Sequence, residues 1–376
     1  MRIAIDLLIA EKEPGGMLFS TRALLDGLAS IDQKNDYYII TARPKEYKAL
    51  AQIPAMHIYA VKLISWRGIL IQHQLMLPEI LRKIRPDVLH VPAFAAPIGW
   101  HGPLVITVHD LAFKHVPEQS SLYSRFYWNY LLRESVHRAQ RVITISEQTK
   151  HELTSFWDVK EEHITIIHNA LRLSLTRNSI TSAQQQKLHK TYGPRYLLHV
   201  GRIMPRKNIE KLVEAFDLLG GELPDLHLVL TGGAGYGSHD VLQQIEHSPY
   251  HERIHQVGWV TDEELSALYA MASVVVFPSK HEGFGLPLLE AMALETPVVA
   301  SYEAASQEIA GDAVVRTDCT QASTLAASIR EVLSDPALHQ QLVAAGKLHV
   351  QAFTSEAAAR ATVQEYEAAI KTKVLR

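Results

Sequence analysis

The sequence predicts an α/β protein with two units, each built on a doubly wound parallel sheet. The chain has 376 residues, which is more than a single ordinary core accommodates. Strand-like and helix-like segments alternate along it, as they do where helices cover both faces of a parallel sheet. A polar stretch at 171–195 interrupts the alternation, which then begins again. These observations favour two α/β domains joined by a linker with one surface helix.

The first half contains short apolar segments rich in β-branched residues. They predict these strands: RIAIDL, YYIIT, HIYAV, DVLHV, LVITVHD, RVITIS and HITIIHN. Between them, two segments have the apolar spacing of helices: STRALLDGLASI and LMLPEILRKI. The first half therefore predicts one complete α/β unit.

The second half repeats this pattern. Its predicted strands are YLLHVGR, LHLVLTGG, IHQVGWV, SVVVFPS and TPVVAS. Its predicted helices include KNIEKLVEAFDLL, DEELSALYAMA and the segment that contains Glu290. The C-terminal segment TSEAAARATVQEYEAAIKTKV predicts one long helix, opened by a Thr/Ser cap and Glu356.

The composition is that of a soluble globular protein, with 47% apolar and 20% charged residues. The single cysteine, Cys319, excludes an internal disulfide and suits a reducing compartment. The start, MRIAIDLL, alternates like a strand rather than a signal peptide, and no uncharged apolar run reaches the roughly 18 residues of a membrane span. We expect a cytoplasmic protein with no nucleic-acid partner.

Ligands of doubly wound sheets bind at the carboxyl ends of strands, where the first half carries two candidate sites. Pro14, Gly15 and Gly16 follow the first strand and would let the backbone approach a ligand, although a plain turn explains them as well. His109 and Asp110 follow LVITV, so the imidazole could donate to a phosphate or sugar oxygen. A structural histidine is the alternative.

A third candidate site is the loop GRIMPRKN, residues 201–208, after the strand YLLHV. Arg202 and Lys207 would supply two cations from one loop, which is what a diphosphate requires. We expect both side chains to lie in a solvated cleft. The alternative is a solvated basic turn.

A fourth candidate site is HEGFGLPLLEAMALETPVV, residues 281–299, which follows a buried strand and begins a helix. Its loop N–H groups would be unpaired at the helix N-terminus, where an anion is favoured. The pattern predicts Pro287 at the first helical position and Glu290 in the first turn. A helix start with a dipole-matched acid and an exposed Glu282 is the alternative.

Several common motifs are missing. The glycine-rich TGGAGYG has neither dinucleotide-binding spacing nor the expected downstream acid, and we interpret it as a strand-to-helix turn. The sequence contains no G-K-[ST], no Asp-x-Asp and no His/Cys cluster with zinc spacing. We therefore expect neither a cofactor nor a metal.

Taken in order, these motifs resemble the retaining GT-B glycosyltransferases of family 4 (group 1) over nearly the whole chain. The most specific parts are GRIMPRKNIEKLVEAF and VGWVTDEELSALYAMASVVVFPSKHEGFGLPLLEAMALETPVVAS, with the Glu-x7-Glu pair of Glu282 and Glu290. HDL at 109–111 and ITISEQTKHEL from 143 resemble the mannosyltransferases and rhamnosyl-type enzymes of polysaccharide assembly. The chain departs from the family at Glu295, where a glycine usually precedes the T/S-P-V-V motif.

The resemblance implies roles around the glutamate pair. Glu290 would bind the ribose hydroxyls of the donor nucleotide, and Glu282 would lie beside the transferred sugar. The backbone amides of Phe284, Gly285 and Leu286 would approach the sugar and the diphosphate.

It also implies roles for the other candidate sites. Arg202 and Lys207 would clamp the diphosphate, and His109 would contact the sugar or phosphate near the reacting carbon. Gly16 would bring the backbone of the N-terminal domain to the donor. Two residues would hold the base: Trp259 and Val260.

The implied fold is GT-B, with two Rossmann-like domains facing across a cleft and a C-terminal helix that crosses back to the N-terminal domain. The expected domains are an acceptor-binding domain at 1–170, with 356–376 packed on it, and a nucleotide-sugar-binding domain at 171–355. The expected activity is retaining, metal-independent hexosyl transfer to a saccharide or lipid-linked acceptor, with GDP-mannose as the preferred donor. Alternatives are UDP-glucose, UDP-N-acetylglucosamine or dTDP-rhamnose-type donors, a GT-B sugar-nucleotide epimerase, and a non-catalytic sugar-nucleotide binder.

Residues 67–85, RGILIQHQLMLPEILRKIR, combine apolar residues with four basic ones and follow Trp66. Such a segment can lie on an anionic bilayer, which predicts peripheral contact with the inner membrane face. An ordinary core-packed helix is the alternative.

Overall fold

The computed structural model of the chain describes residues 1–12, 15–64, 69–115, 127–172, 174–175 and 180–374. Its contacts divide the chain into two compact units. The first unit is Met1–Leu171 with Phe353–Arg376, and the second unit is Arg172–Ala352. The division falls close to the boundaries expected from the sequence.

The first unit contains a seven-stranded parallel sheet in the order β3-β2-β1-β4-β5-β6-β7. The order reverses at β1, so β1 and β4 form the switch point at which doubly wound sheets bind ligands. All the strands predicted for the first half are present: β1 Arg2–Asp6, β2 Asp36–Thr41, β3 Met56–Ala60, β4 Val88–Val91, β5 Leu104–Val108, β6 Arg141–Thr144 and β7 Ile164–Ile166.

Helices flank this sheet, as parallel strands require crossover connections. The α-helices described in the first unit are α1 Gly16–Ile31, α2 Ile69–Ile84, α3 Ala112–His115, α4 Arg133–Arg138, α5 Glu147–Trp157 and the C-terminal α14 Ser355–Val374. A π-helical turn, Tyr127–Leu132, leads into α4. Short 3-10 turns lie at Ala10–Lys12, Pro44–Tyr47, Leu50–Gln52 and Glu161–His163.

The C-terminal helix α14 packs on the first unit, as predicted. Gly27 of α1 allows the close approach, because a β-carbon there would lie 2.1 Å from the carbonyl oxygen of Ser355. The fully buried Tyr366 pairs its hydroxyl with Nδ1 of His90 at 2.8 Å. Thr354 caps the helix by accepting the amide of Ala357 at 3.2 Å.

The second unit contains a six-stranded parallel sheet in the order β10-β9-β8-β11-β12-β13. Its strands are β8 Arg195–Val200, β9 Leu226–Thr231, β10 Ile254–Gly258, β11 Val274–Phe277, β12 Val298–Ser301 and β13 Val315–Thr317. The edge strand β13 was not predicted from the sequence. It has only three residues, one of them an arginine, which is too little for a period-2 pattern to stand out.

The helices of the second unit alternate with its strands. They are α6 Ser182–Tyr192, α7 Ile209–Glu222, α8 His239–His247, α9 Asp262–Met271, α10 Leu286–Ala293, α11 Ala304–Ala310, α12 Ala322–Ser334 and α13 Pro336–His349. Short 3-10 turns lie at Pro205–Lys207, His251–Arg253 and Val350–Ala352. The predicted surface helix of the linker is α6, which buries none of its residues.

The glycine-rich TGGAGYG is the expected strand-to-helix turn, because it connects β9 to α8. Glu295, at the family's usual glycine position, has φ of 60°. This left-handed conformation is the one that glycine adopts without strain. Within the described ranges, no helix combines the length and the apolar character that a membrane span needs.

Candidate active site

Two of the predicted motifs meet at the carboxyl edge of the second sheet. The basic loop follows β8 and the Glu-x7-Glu loop follows β11, and these strands are neighbours. The backbone ties the loops together, because the Lys280 amide donates to the Arg206 carbonyl at 2.8 Å. The sheet topology therefore joins segments about 75 residues apart in sequence.

Glu282 lies at the centre of this junction and is only 6% exposed. Lys207 Nζ donates to Oε1 at 2.5 Å, and Arg206 Nη1 donates to Oε2 at 3.0 Å. Burial raises the pKa of the carboxyl, but the charges of Lys207 and Arg206 outweigh it and hold the pKa at about 2. Glu282 is thus an ionised carboxylate held by two cations, and not the exposed acid of the alternative interpretation.

Lys207 is buried, with 7% of its surface exposed, so the expectation that it lies in a solvated cleft is wrong. Its ammonium lies 5.2 Å from the ring centroid of Phe277. Gly201 provides room for it, because a β-carbon there would lie 3.3 Å from Lys207 Cε. The sequence misjudged the burial because the compensating carboxylate comes from a distant segment.

Below this loop, His199 is fully buried at the end of β8. Its Nδ1 lies 3.1 Å from the Val276 carbonyl, so Nδ1 carries the proton. Burial, reinforced by the Lys207 charge, lowers the pKa of His199 to about 4. The ring is therefore neutral near pH 7 and adds no further positive charge to the junction.

Glu290 forms a second buried carboxylate centre, with 3% of its surface exposed. It is the fifth residue of α10, and neither it nor any other acid lies in the first turn, which corrects the prediction. Arg172 Nε donates to Oε1 at 2.8 Å, and Nη2 lies 2.6 Å from the same oxygen in an ion pair. The Tyr269 hydroxyl donates to Oε2 at 2.7 Å.

The loop between the two glutamates is shaped by glycine. Gly285 is the N-cap of α10 with φ of 101°, a left-handed conformation that favours this residue. Pro287 therefore occupies the second helical position, one later than predicted. Phe284 and Leu286 are buried on either side, so only their backbone could meet a ligand.

The predicted base-binding residues lie after β10. Trp259 has 52% of its surface exposed, and the guanidinium carbon of Arg202 lies 5.9 Å from its ring centroid. Val260 beside it is half-buried. The Arg202 side chain thus packs against an exposed indole. Lys207, its predicted partner in the clamp, instead forms an ion pair with Glu282.

In the first unit, His109 follows β5 as predicted and is half-buried. Nε2 lies 2.8 Å from the Pro92 carbonyl and must carry the ring proton. Burial lowers the pKa of His109, which leaves Nδ1 as a neutral acceptor. With Thr107 and Asn169 it lines a small cavity at the carboxyl ends of β5 to β7.

The predicted glycine loop of the first unit is short, because Gly16 is already the first residue of α1. Gly15 precedes it as the N-cap, and Pro14 lies outside the described residues. Gly16 therefore lies at the start of α1, the first α-helix after β1, rather than within a loop.

Sequence reasoning missed three residues of these centres. Arg206 could have been found, because it adjoins Lys207 in the same basic loop. Arg172 lies in a polar linker and Tyr269 in an ordinary amphipathic helix, and neither position carries a local signal. Their roles depend on contacts with Glu290 across 118 and 21 residues of sequence.

A fourth missed residue is Glu303, the N-cap of α11, which accepts the Ser306 amide at 2.8 Å. The Ser306 hydroxyl also donates to the same carboxylate oxygen at 3.0 Å. Burial raises the pKa of Glu303. Glu303 therefore caps α11, the helix that follows β12, and belongs to neither glutamate centre.

Two family profiles match nearly all of the chain. The one described as "Glycosyltransferase Family 4" matches residues 14–175, and the one described as "Glycosyl transferases group 1" matches residues 181–349. The boundary between them falls in the linker that carries Arg172.

Curated relatives agree with these profiles. The chain is 29% identical over 289 residues to the O-antigen chain mannosyltransferase B of Escherichia coli, covering 76% of each protein. It is 30% identical over 302 residues to a glycogen synthase of Mycobacterium tuberculosis, covering 77% of this chain and 70% of that protein. Among solved structures, Anabaena HepE in complex with UDP and glucose matches with a TM-score of 0.74 and 20% identity, covering 97% of this chain and 98% of HepE.

Proposed function

Because the chain belongs to the family 4 glycosyltransferases of group 1, we propose that it transfers a hexose from a nucleotide-diphosphate sugar with retention of anomeric configuration. GDP-mannose is the proposed donor, and a saccharide or lipid-linked molecule is the proposed acceptor. The name of the Escherichia coli relative, an O-antigen mannosyltransferase, supports this choice. The UDP and glucose bound to HepE make UDP-glucose the second candidate.

One observation carries the proposal: the buried carboxylate of Glu282 held by Lys207 and Arg206 at the joined strand ends. Two cations around one carboxylate leave an excess positive charge. A diphosphate is an anion that such a surplus attracts through charge-assisted hydrogen bonds. Arg202, in the same loop, adds a further cation.

In the proposed reaction, the bond between the anomeric carbon and the diphosphate oxygen breaks through an oxocarbenium-like state. The electron pair leaves with the diphosphate, where Lys207 and Arg202 stabilise the developing charge. An acceptor hydroxyl attacks the same face and gives its proton to the leaving phosphate. The products are the glycoside and the protonated nucleoside diphosphate.

Glu282 is a poor candidate for a nucleophile. Its two oxygens are already engaged by Lys207 and Arg206, which reduces the electron density available for attack. We therefore favour same-face displacement, with Glu282 placing its cations and contacting the sugar. Retention without a covalent intermediate follows from this assignment.

His109 is proposed to contact the sugar, but as a hydrogen-bond acceptor rather than the donor expected from the sequence. Its Nε2–H is donated to the Pro92 carbonyl, so Nδ1 can only accept a hydrogen bond from a hydroxyl. His109→Phe should therefore raise KM for the sugar nucleotide while leaving GDP binding unchanged. His101→Phe is a suitable control, because His101 is exposed and outside the site.

We also propose that no metal takes part in the chemistry. The sequence lacks Asp-x-Asp, and fixed cations of the protein are available to meet the diphosphate. Activity in excess chelator should equal activity without it. A requirement for added Mg²⁺ or Mn²⁺ in the chemical step would contradict this.

The first unit is proposed to receive the acceptor and to contact an anionic membrane. Arg67 of the predicted membrane segment lies outside the described residues, and most of the segment forms α2. One face of α2 packs into the core, as the alternative interpretation holds. The other face exposes 64% of Ile71 and 69% of Leu75, ahead of the exposed Arg82 and Lys83.

Co-sedimentation with vesicles tests the membrane proposal. Wild type should bind anionic vesicles at low salt, and Ile71→Ser with Leu75→Ser should reduce that binding. Leu348→Ser is the matched control, because Leu348 is 71% exposed in the second unit. Equal, negligible binding to anionic and neutral vesicles would contradict the proposal.

Calorimetry tests the donor. The protein is titrated with GDP-mannose, UDP-glucose, UDP-N-acetylglucosamine and dTDP-rhamnose, and we expect GDP-mannose to bind most tightly. Binding of a UDP-sugar at least about tenfold more tightly would overturn the choice of donor. Hydrolysis or isomerisation of the donor without an acceptor would instead favour an epimerase.

A further inference from the structure

We propose that Arg172 is a positioning residue for Glu290, which it turns so that one carboxylate oxygen receives a single ribose hydroxyl of the donor. This inference rests on the proposed binding of the donor ribose by Glu290. The chain reaches Arg172 just after β7, in the linker that precedes α6. Its side chain is nevertheless only 9% exposed.

The geometry divides the two oxygens of Glu290 between different partners. Oε1 accepts the hydrogen bond of Arg172 Nε–H at 2.8 Å and lies in an ion pair with Nη2 at 2.6 Å. Among the residues that the structure describes, Oε2 receives only the Tyr269 hydroxyl, at 2.7 Å. A carboxylate oxygen accepts about two hydrogen bonds, so the two nitrogens of Arg172 occupy Oε1, and Oε2 has one acceptor position left.

This division limits how a ribose can bind. A diol that gave one hydrogen bond to each oxygen would have to displace Arg172 from Oε1. A single hydroxyl on Oε2 displaces nothing. The arrangement therefore predicts that one of the two ribose hydroxyls contributes most of the ribose contact.

Arg172 is itself held in place. Its Nη1 donates to Oδ1 of Asp262 at 3.0 Å, and Asp262 also accepts the Ser174 hydroxyl at 2.5 Å. The planar guanidinium thus spans two carboxylates, on α9 and α10, with fixed donor directions. A lysine ammonium has no such fork. Arg172→Lys should therefore keep the positive charge but hold the Glu290 carboxylate in its orientation only in part.

The test measures Kd for GDP and UDP, and for their 2′-deoxy and 3′-deoxy forms, by calorimetry. In wild type, removal of one hydroxyl should weaken binding by at least about tenfold, and removal of the other by much less. Arg172→Gln should weaken binding of the parent nucleotide and lose most of this discrimination. The discrimination of Arg172→Lys should lie between that of wild type and that of Arg172→Gln.

Two further variants keep the test informative if Arg172→Gln folds poorly. Asp262→Ala removes the acceptor that anchors Arg172 Nη1 without touching Glu290, and should reduce the discrimination partially. Arg330→Gln is the charge-matched control, because Arg330 pairs with Glu222 on the surface of the same unit. It should leave all affinities unchanged.

The outcomes separate the two proposals. If wild type binds neither nucleotide, or does not distinguish the deoxy forms, the ribose role of Glu290 fails and the Arg172 proposal fails with it. If wild type discriminates and folded Arg172→Gln discriminates equally, only the Arg172 proposal fails. Tighter binding of the parent nucleotide by Arg172→Gln would show that Arg172 competes with the ribose, and would also overturn the proposal.

Discussion

The two glutamates of the Glu-x7-Glu motif are both buried, yet their surroundings differ in charge. Glu282 is held by two cations, Lys207 and Arg206, and the local charge is positive. Glu290 is held by one cation and one neutral hydroxyl, and Arg172 shares its charge with Asp262. A positive centre suits the anionic diphosphate that leaves, whereas a compensated centre suits a neutral ribose.

The largest expected effect comes from removing a cation at the positive centre. Lys207→Ala should lower kcat by about 10²–10³, because a preorganised donor to the leaving diphosphate is lost. It should also destabilise the fold by about 3–5 kcal/mol, since Glu282 would lose one of its buried partners. Turnover and urea unfolding of the same preparation check both effects.

The matched control is Lys211→Ala, which breaks the partly exposed pair with Glu214 and should change neither quantity noticeably. Near-normal turnover of a folded Lys207→Ala protein would contradict the assignment of Lys207 to the diphosphate.

Arg202→Ala should separate catalysis from stability. Arg202 is half-buried beside the exposed Trp259, so its loss should lower kcat by about 10² without much change in unfolding. Steady-state kinetics and a thermal melt measure the two quantities. A large drop in Tm, or unchanged kcat, would contradict the assignment of Arg202 to the diphosphate.

The positive centre should also be visible in the pH dependence of stability. The pKa of Glu282 is depressed from 4.5 to about 2, so its stabilisation is present above pH 4.5 and is lost as pH falls towards 2. The full difference corresponds to about 3 kcal/mol. Unfolding free energies at pH 7 and pH 3 measure most of it.

In Glu282→Gln, the loss of stability between these two pH values should be smaller than in wild type by about 2 kcal/mol. Glu214→Gln, at a partly exposed surface pair, is the control and should follow wild type. An unchanged pH dependence in Glu282→Gln would mean that the carboxyl does not carry a depressed pKa.

The smallest expected effect concerns a third glutamate, Glu295, which belongs to neither centre. Its left-handed φ of 60° costs a non-glycine residue about 1–2 kcal/mol, partly offset by its exposed pair with Lys347. Glu295→Gly should raise stability by about 0.5–1 kcal/mol and leave activity unchanged. A lower Tm for Glu295→Gly would contradict the strain assigned to this position.

The sequence was informative where a pattern is local. Strands such as VVVF and the capped C-terminal helix follow from short-range periodicity, and they lie where predicted. The positions of Glu282 and Lys207 at strand ends followed from the same alternation. Their direct pairing did not, because it depends on which strands are neighbours in the sheet.

The long-range contacts could not be predicted from the sequence. Arg172 stands in a polar linker, and only the folded second unit brings it to Glu290, 118 residues away. The burial of Lys207 was misjudged for the same reason, since a lysine is buried only when a distant carboxylate compensates it. Both centres are therefore defined by ion pairs between residues that are far apart in sequence, and such pairs depend on the fold.

Calorimetric titration of GDP and GDP-mannose into Glu282→Gln and Glu290→Gln tests the division between the two centres most directly. Glu290→Gln should weaken both ligands by a similar factor, about tenfold, because both contain the ribose. Glu282→Gln should weaken GDP-mannose but not GDP, since the sugar loses a contact while Lys207 and Arg206 become available to the diphosphate. If Glu282→Gln weakened GDP as much as GDP-mannose, or Glu290→Gln affected only the sugar nucleotide, the two centres would not have the separate roles assigned to them.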